Sequence, residues 1–302
     1  MDSKFNIFLA TDYSQAVMNA ERYAFEIAKK TGSNLTVMHV YEIPFSFPID
    51  PDEYINASER LRKFELQKLK VHTEMLLRTL KISKNEINLE CIVLEGNVGN
   101  EIKNEAEHNQ PDFIITGTHN QENAPFFGSS HTWDIIKKSD VPILSIPPFA
   151  LFNGIKKIVF ATNYREGEVS GIKSLVTLAK KFGAELVVLH ITNHTITKEF
   201  ESLIFKKFKE DILNNVNYEK LSLRVIYSED IPEGLNNFCA SAKADWLVMS
   251  HTRSFYFEKI LAPGKSFTKE MSLKTHIPLF SIPDSYNTET EENVYKKTET
   301  IP

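Results

Sequence analysis

The chain has 302 residues and a formal net charge of −5 at pH 7, with 42% hydrophobic and 25% charged residues. This length predicts two domains, and the composition is that of a soluble globular protein. The balanced charge provides no general field that would hold nucleic acid or anionic lipid, so we expect neither as a partner. No apolar run approaches the roughly 18 residues of a membrane span. The N-terminal segment MDSKFNIFLATD also lacks the basic and apolar parts of a secretory signal, which indicates a cytoplasmic protein.

The predicted elements follow one order in each half of the chain. In the first half, apolar runs predict strands at 5–11, 34–41, 87–94, 112–117 and 141–146, and helical periodicity predicts helices near 14–31, 57–81, 98–109 and 129–138. In the second half, strands are predicted near 156–162, 185–192, 221–227, 244–249 and 277–282. Continuous apolar runs of this kind are typical of a parallel sheet covered by helices on both faces. Gly32 and Gly183, each just before a strand, are predicted to end helices.

An internal repeat explains this shared order. Asp12 and Asn163 end the similar segments FNIFLATD and KKIVFATN, and the same separation relates LTVMHV to LVVLHI. Two later pairs keep the order, PDFIITGTH with ADWLVMSHT and VPILSIP with IPLFSIP. Repetition at this scale predicts two copies of one domain. We place the copies at 1–150 and 151–284, followed by a polar tail at 285–302 that is expected to be disordered.

The first repeat is longer than the second by 18 residues, between the second and third of these landmarks. Three prolines between 44 and 51 interrupt regular structure there, before a long helix for which Asn56 or Ser58 is the expected cap. Phe45 and Phe47 either pack on the neighbouring helix or cover a ligand cleft or an interchain contact. The role of the 44–56 segment is therefore open.

The last predicted strand of each repeat, 141–146 and 277–282, is flanked by prolines. Proline is tolerated at strand ends and sheet edges but not in central strands, so both strands are expected at edges. Edge strands invite pairing. We therefore expect the two sheets to associate through these strands as an intramolecular pseudo-dimer. A further homodimer and a separate protein partner both remain open.

The sequence offers no constellation for catalysis. Cys91 and Cys239 lie at unmatched positions of the repeats without metal or redox spacing, and both are predicted to be core residues. His39 and His190 recur at matched strand positions, where a polar group at the end of a sheet accounts for them. No nucleophile is paired with a base. We predict no catalytic residue and no metal site.

Four segments of the first repeat carry a family resemblance: IFLATDYSQAV, LTVMHVYE, EGNVGNEIKNEAEHNQPDFIITGTH and GSSHTWDIIKKSDVPILSIP. In order and spacing they resemble the signature segments of the universal stress protein family. The chain as a whole resembles a tandem universal stress protein. The resemblance implies open, Rossmann-like parallel α/β domains of the adenine nucleotide alpha hydrolase type, with dimerisation through the last strand. It also implies ATP binding in one branch of the family and no nucleotide in another.

The resemblance places a candidate ATP site in the first repeat. Asp12 follows the first strand, where its carboxylate would meet ribose hydroxyls or Mg²⁺, or would instead cap the next helix. The backbone of Val40 corresponds to the position that meets adenine in the family. The family's phosphate loop reads Gly, two residues, Gly, nine residues, then Gly and Ser or Thr. Its counterparts here are Gly117, Asn120, Gly128, Ser129 and Ser130.

The phosphate loop departs from the family pattern. Asn120 replaces the middle glycine, seven residues rather than nine follow it, and the stretch contains no Lys or Arg to meet phosphate charge. In the second repeat, Asn163 replaces the acidic residue, and Ser250 and Arg253 replace the paired glycines. Phosphate binding needs close backbone approach, which glycine permits. These changes weaken the site in both repeats.

Two functions are compatible with this pattern. The first is a non-catalytic stress-response or adaptor protein with a degenerate nucleotide cleft and no required cofactor. The second is a sensor that binds ATP with Mg²⁺, or a related adenine nucleotide, in the first repeat only, with at most slow hydrolysis. Losses in both phosphate loops favour the first function, whereas Asp12 together with Gly117, Gly128 and Ser129 supports the second.

Overall fold

The computed structural model describes residues 4–43, 51–118, 135–136, 139–165, 167–193, 197–251, 271 and 275–283. The chain divides into two compact units, Met1–Phe152 and Asn153–Pro302. The predicted tail at 285–302, the segment at 44–50 and most of the helix predicted at 129–138 lie outside the described residues. Within the described part of the chain, no helix combines the length and the apolar character needed to cross a membrane.

The first unit alternates strands and helices along the chain. Its described elements are β1 (Asn6–Ala10), α1 (Met18–Thr31), β2 (Asn34–Tyr41), α2 (Pro51–Leu80), β3 (Asn88–Glu95), α3 (Val98–Asn109), β4 (Phe113–Gly117) and β5 (Ile143–Ile146). The strands pair in parallel in the order β3-β2-β1-β4-β5. The chain first moves from β1 towards β3 and then returns past β1 to β4 and β5. The order therefore reverses at the boundary between β1 and β4.

The second unit has the same topology. Its described elements are β6 (Lys157–Ala161), α4 (Glu168–Phe182), β7 (Glu185–Thr192), α5 (Lys198–Asn215), β8 (Leu221–Tyr227), α6 (Ile231–Ala242), β9 (Trp246–His251) and β10 (Leu279–Pro283). Its strands pair in parallel in the order β8-β7-β6-β9-β10. The predicted open parallel α/β sheet is confirmed in both units. Within its own unit, β5 or β10 ends the sheet, as the flanking prolines predict.

Continuous apolar strands form the core of each unit. In the first unit, Phe8, Val40 and Ile114 pack on one face of the sheet with Ile102 and Ala106 of α3, and all are buried. The central strands carry apolar residues at consecutive positions because helices cover both faces. Burying each large side chain of this kind contributes roughly 1.5–3 kcal/mol. The core therefore holds the carboxyl ends of the strands, where the candidate site lies, in fixed positions.

Two helices end at the glycines that the sequence predicts. Gly32 follows α1 and Gly183 follows α4, and each has a φ of 66°, in the left-handed region. The N–H of Gly32 donates to the carbonyl of Ala28. A residue with a side chain is strained in this conformation, which explains glycine at both positions.

The start of α1 differs from the prediction. It begins at Met18 rather than near residue 14, because residues 14–17 form a turn in which the N–H of Val17 donates to the carbonyl of Ser14 at 3.1 Å. The predicted boundary was wrong because the apolar spacing of this turn continues that of the helix.

The start of α2 also differs from the prediction. The helix begins at Pro51 rather than near residue 57, so Asn56 and Ser58 lie inside the helix and do not cap it. Proline fits the first turn of a helix because its missing N–H would have no helical partner there. Pro51 was expected only to interrupt regular structure, and in the fold it begins the helix.

In each unit, an aspartate at an equivalent position accepts backbone hydrogen bonds at the start of the first strand. Asp112, just before β4, accepts a hydrogen bond from the backbone N–H of Asn6 at 2.6 Å. Asp245, just before β9, accepts hydrogen bonds from the N–H groups of Lys156 and Lys157 at 2.6 and 2.8 Å. A charged acceptor makes these bonds stronger than neutral ones. The aspartates therefore set the amino-terminal ends of two neighbouring strands relative to each other.

We expect Asp245→Ala to lower the free energy of unfolding by about 1–3 kcal/mol, because two backbone N–H groups lose a charged acceptor. Asp245→Asn keeps one acceptor oxygen and should cost clearly less. Urea unfolding at pH 7, followed by circular dichroism, measures both changes. Equal stability of the alanine variant and the wild type would contradict this role.

Candidate functional site

The loop after β1 lies at the point where the strand order reverses. The N–H of Thr11 donates to the carbonyl of Met38 in β2 at 2.9 Å, which extends the sheet by one residue. Asp12 follows and is partly exposed. Its Oδ1 accepts a hydrogen bond from the N–H of Ser14 at 2.9 Å. The carboxylate thus stabilises the turn after the strand and is not the N-cap of α1, which begins at Met18 with Val17 as its N-cap.

Tyr13 turns the chain away from the sheet. Its φ is 63°, in the left-handed region, which is uncommon for a bulky residue. The Tyr13 ring packs on the ring of His39 with centroids 4.4 Å apart, and it meets the ring of His72 edge-on at 5.1 Å. The Nζ of Lys68 lies 4.4 Å from the Tyr13 ring centroid. These contacts hold a strained backbone in place, and burial raises the pKa of Tyr13.

A buried carboxylate lies behind this loop. Glu21 of α1 is fully buried, and its Oε1 accepts hydrogen bonds from the Thr11 hydroxyl at 2.6 Å and from His72 Nε2 at 2.7 Å. Buried carboxylates are costly unless they are paired or hydrogen-bonded. The hydrogen bonds from Thr11 and His72 to Glu21 therefore link the end of β1 to both α1 and α2.

His39 joins the end of β1 to the middle of α2. Its Nδ1 donates to the carbonyl of Thr11 at 2.8 Å, and its Nε2 lies 3.8 Å from Oε2 of Glu65. Burial lowers the pKa of His39, against the backbone hydrogen bond to Thr11 and the nearby Glu65, both of which raise it. The predicted role of a polar group at the end of a sheet is consistent with these contacts.

The second unit repeats this arrangement. His190 Nδ1 donates to the carbonyl of Thr162 at 2.8 Å, and His190 Nε2 lies 3.2 Å from Oε1 of Glu201 in α5. Tyr164 has a φ of 64° and stacks on His190 with centroids 4.1 Å apart. The residue between the threonine and the tyrosine is Asn163, which is exposed. The same geometry therefore forms with or without an acidic residue at this position.

The buried carboxylate of the second unit is Glu168, the first residue of α4. Its Oε2 accepts from the Thr162 hydroxyl at 2.6 Å and from the N–H of Arg165 at 3.2 Å. Burial raises the pKa of Glu168 to about 7, and the hydrogen bonds from Thr162 and Arg165 only partly offset this effect. Glu168 thus accepts the hydrogen bond of the threonine hydroxyl, as Glu21 does, but from a different position on its helix.

Glu168 should make the stability of the protein depend on pH. Its pKa is raised from 4.5 to about 7, so the folded state binds the proton more tightly than the unfolded state. The contribution to the unfolding free energy is therefore full below pH 4.5 and is lost as the pH rises to about 7. Glu168→Gln removes the ionisation, and we expect the variant to gain stability over the wild type by about 2–3 kcal/mol more at pH 8 than at pH 5.

Chemical unfolding of the wild type and of Glu168→Gln at several pH values measures this difference. Glu185→Gln serves as the matched control for the loss of a carboxylate, since Glu185 is exposed and forms a surface ion pair with Lys157. A difference between Glu168→Gln and the wild type that does not vary with pH would refute the expected ionisation.

The structure brings three of the sequence-predicted site residues to adjacent strands. Asp12 follows β1, Val40 lies near the end of the neighbouring β2, and Gly117 ends β4 on the other side of β1. Val40 is buried and pairs with Leu94 of β3. The remaining predicted residues, Asn120, Gly128, Ser129 and Ser130, lie outside the described residues.

Gly117 has a packing role. A Cβ at this position would come 3.0 Å from Cα of Val17 and 3.1 Å from its Cγ2, with the carbonyl of Ala16 at 3.4 Å. The loop after β1 therefore packs directly on the end of β4. Close backbone approach of the protein to itself accounts for this glycine, independently of any phosphate.

We expect Gly117→Ala to destabilise the protein by about 1–3 kcal/mol, since the nearest atom is backbone and cannot move without shifting the loop. Val17→Ala should not restore stability to the double variant, because the backbone of residue 17 would still crowd the new methyl group. Thermal unfolding of the two single variants and the double variant tests both statements. Full rescue by Val17→Ala would show that the side chain causes the clash.

Most of the polar residues around the loop were not predicted from the sequence. These are Tyr13, Tyr164, Glu21, Glu168, Glu65, Glu201, Lys68 and His72. A signal was available for the tyrosines, because each stands two positions after a threonine in the aligned segments ATDY and ATNY. The glutamates gave no such signal, since they do not keep the spacing of the strands.

The reversed strand order and the loops at the carboxyl ends of the strands define a Rossmann-like α/β protein. Residues 5–147 match the model of the Universal stress protein family. The first repeat is therefore similar to the universal stress protein family over almost its whole length. A search among curated proteins gave no significant match.

Two solved structures extend over nearly the whole chain. A universal stress protein from Archaeoglobus fulgidus has a TM-score of 0.63 at 16% identity, covering 93% of this chain and 97% of that one. A putative universal stress protein from Pseudomonas aeruginosa has a TM-score of 0.61 at 12% identity, covering 96% and 97%. At these identities the likeness establishes the fold, and function must be argued from the site.

Proposed function

We propose that the protein is a non-catalytic stress-response protein that acts by association with a partner and has a degenerate nucleotide cleft. The repeated Thr–Tyr–His–Glu contacts support this proposal. In both units these polar side chains bind one another and fasten the loop after the first strand to the sheet and the long helix. The same structure forms around Asn163 in the second unit, so the fold does not depend on the carboxylate that a nucleotide would need.

The packing of Gly117 is the observation that carries the argument. The phosphate loop of the first repeat retains this glycine, and its retention was a reason to expect nucleotide binding. Because the missing Cβ accommodates Val17, the glycine has a structural explanation. The retention of Gly117 therefore no longer supports nucleotide binding by the first repeat.

Association of the repeats through 141–146 and 277–282 remains part of the proposal. Its support is the place of β5 and β10 at the end of the strand order within their own units. Edge strands are the usual places where sheets extend by pairing.

A second candidate function rests on Asp12. In open α/β sheets, ligands bind outside the carboxyl ends of the strands where the order reverses, which is where Asp12 lies. Asp12 is partly exposed, and a carboxylate offers several acceptor positions on its two oxygens. Such a residue would hold ribose hydroxyls or Mg²⁺, and the family resemblance implies ATP. The second function is an adenine-nucleotide sensor that uses the first repeat only.

Titration of the nucleotide-stripped protein with ATP and Mg²⁺ separates the two functions. For the adaptor we expect no heat of binding and a melting temperature that changes by less than about 1 °C at millimolar ATP, since a ligand stabilises only the state it binds. One equivalent of bound ATP would favour the sensor.

Two matched variants locate any binding that is found. Asp12→Ala removes the carboxylate of the first repeat, and Asn163→Ala changes the corresponding position of the second. A sensor would lose affinity at least about tenfold in Asp12→Ala and retain it in Asn163→Ala. Binding that survives both changes would place the ligand elsewhere and overturn both functions as stated.

A further inference from the structure

The edge of the second sheet at β8 differs from the corresponding edge at β3. Both strands end the sheet of their own unit opposite β5 or β10, and in the described ranges each pairs only with its inner neighbour. Val93 of β3 and Val225 of β8 occupy equivalent positions, because they pair with His39 and His190. Val93 is 7% exposed, whereas Val225 is 41% exposed. The same position is therefore covered in one unit and open in the other.

The long helix of the first unit explains the difference. Helix α2 has 30 residues and its first turns extend over the end of β3, where Tyr54 and Ser58 donate to the carboxylate of Glu95 at 2.8 and 2.7 Å. Helix α5 has 18 residues. At the position of Glu95, β8 has Tyr227, which is 54% exposed. The shorter helix leaves an apolar surface at the end of β8.

The backbone of β8 is oriented for pairing. The carbonyl of Lys220 accepts from Leu186 and the N–H of Ser228 donates to Thr192, so the even-numbered residues are bonded to β7. In a parallel ladder, alternate residues direct both backbone groups to the same side. The odd-numbered residues, including Leu223 and Val225, therefore direct their N–H and C=O groups away from the sheet.

The sequence of β8, LSLRVIY, has few of the features that usually protect an edge strand. It contains no proline or glycine and only one charge, Arg224. The equivalent strand β3, NLECIVLE, has two glutamates. Native proteins protect edges with charges, prolines or covering elements, and an edge without them tends to pair.

We propose that β8 pairs antiparallel with β8 of a second copy of this chain, about a two-fold axis at Val225. This register packs Leu223 against Tyr227. It also sets Lys220, whose Nζ donates to the carbonyl of Gly183, opposite Asp230, whose Oδ1 accepts from the N–H of Glu233. A centre at Arg224 would set two like charges against each other, which is unfavourable. A two-fold axis at Leu223 would place no oppositely charged residues opposite each other. A centre at Tyr227 would set Arg224 opposite Asp230, but it would pair the strand mainly with the residues that lead into α6. The outward backbone groups of Val225 and the longer overlap of the two strands therefore favour the closed dimer centred at Val225.

This interface goes beyond the proposed function and does not depend on it. Sedimentation velocity of the full chain over a range of concentrations provides the first test. We expect the wild type to reach twice the 34.6 kDa of one chain as the concentration rises. We expect Val225→Lys to raise the dissociation constant at least about tenfold, because two lysines would oppose each other across the axis.

Val71→Lys is the matched control, since Val71 is 48% exposed on α2 and should leave the dimer unchanged. Circular dichroism establishes that both variants remain folded. A wild type that stays at the mass of one chain, or a dimer that Val225→Lys leaves intact, would overturn the proposal. The first result would turn attention to an extended peptide as the partner, and the second to a different surface.

A cross-link keeps the proposal testable if Val225→Lys does not fold. Residues opposite each other at a hydrogen-bonded position have Cα atoms about 5.5 Å apart, within disulfide range. Val225→Cys, in a chain with Cys91→Ser and Cys239→Ala, should form a disulfide-linked dimer under mild oxidation. Val71→Cys in the same background should remain a single chain. Equal cross-linking of the two variants would refute the register.

Discussion

The hydrogen bond from a histidine of the second strand to the carbonyl at the end of the first strand organises the site in both units. His39 binds Thr11 and His190 binds Thr162, each at 2.8 Å. The bond satisfies a carbonyl where the chain leaves the sheet, and an unsatisfied buried carbonyl would cost about 1–3 kcal/mol. It also fixes the imidazole ring on which Tyr13 or Tyr164 packs. The left-handed tyrosine, the turn after the strand and the position of Asp12 or Asn163 all follow from this arrangement.

In both units, the hydroxyl of the threonine after the first strand donates to a buried carboxylate. The two carboxylates come from different helix positions. The hydroxyl of Thr11 donates to Glu21 within α1, whereas that of Thr162 donates to Glu168 at the first residue of α4. Glu21 also contacts His72, while Glu168 instead accepts from backbone N–H groups. The loop geometry is the same, but the electrostatics differ, since burial raises the pKa of Glu168 to about 7. The requirement is for a buried acceptor near the threonine, and the fold allows more than one helix position to supply it.

The length of the helix after the second strand distinguishes the outer edges of the two sheets. In the first unit, α2 reaches the end of β3 and covers Val93, and its hydroxyl groups bind Glu95. In the second unit, α5 is shorter and Val225 is exposed. Two units with the same strand order thus have different outer surfaces. If the function is association, these surfaces distinguish the two halves more than the clefts do.

The sequence alone determined the strands, their parallel arrangement, the duplication, the glycine ends of α1 and α4, and the position of Asp12 after the first strand. These features depend on local apolar runs and on residues whose backbone preferences are independent of context. The start of α2, the packing of Gly117 on Val17, and the glutamates that reach His39 and His190 were decided only by the tertiary structure. Their partners are far apart in sequence, and the helices do not keep the spacing of the strands. Contacts between separate elements depend on how those elements pack, which no local pattern records.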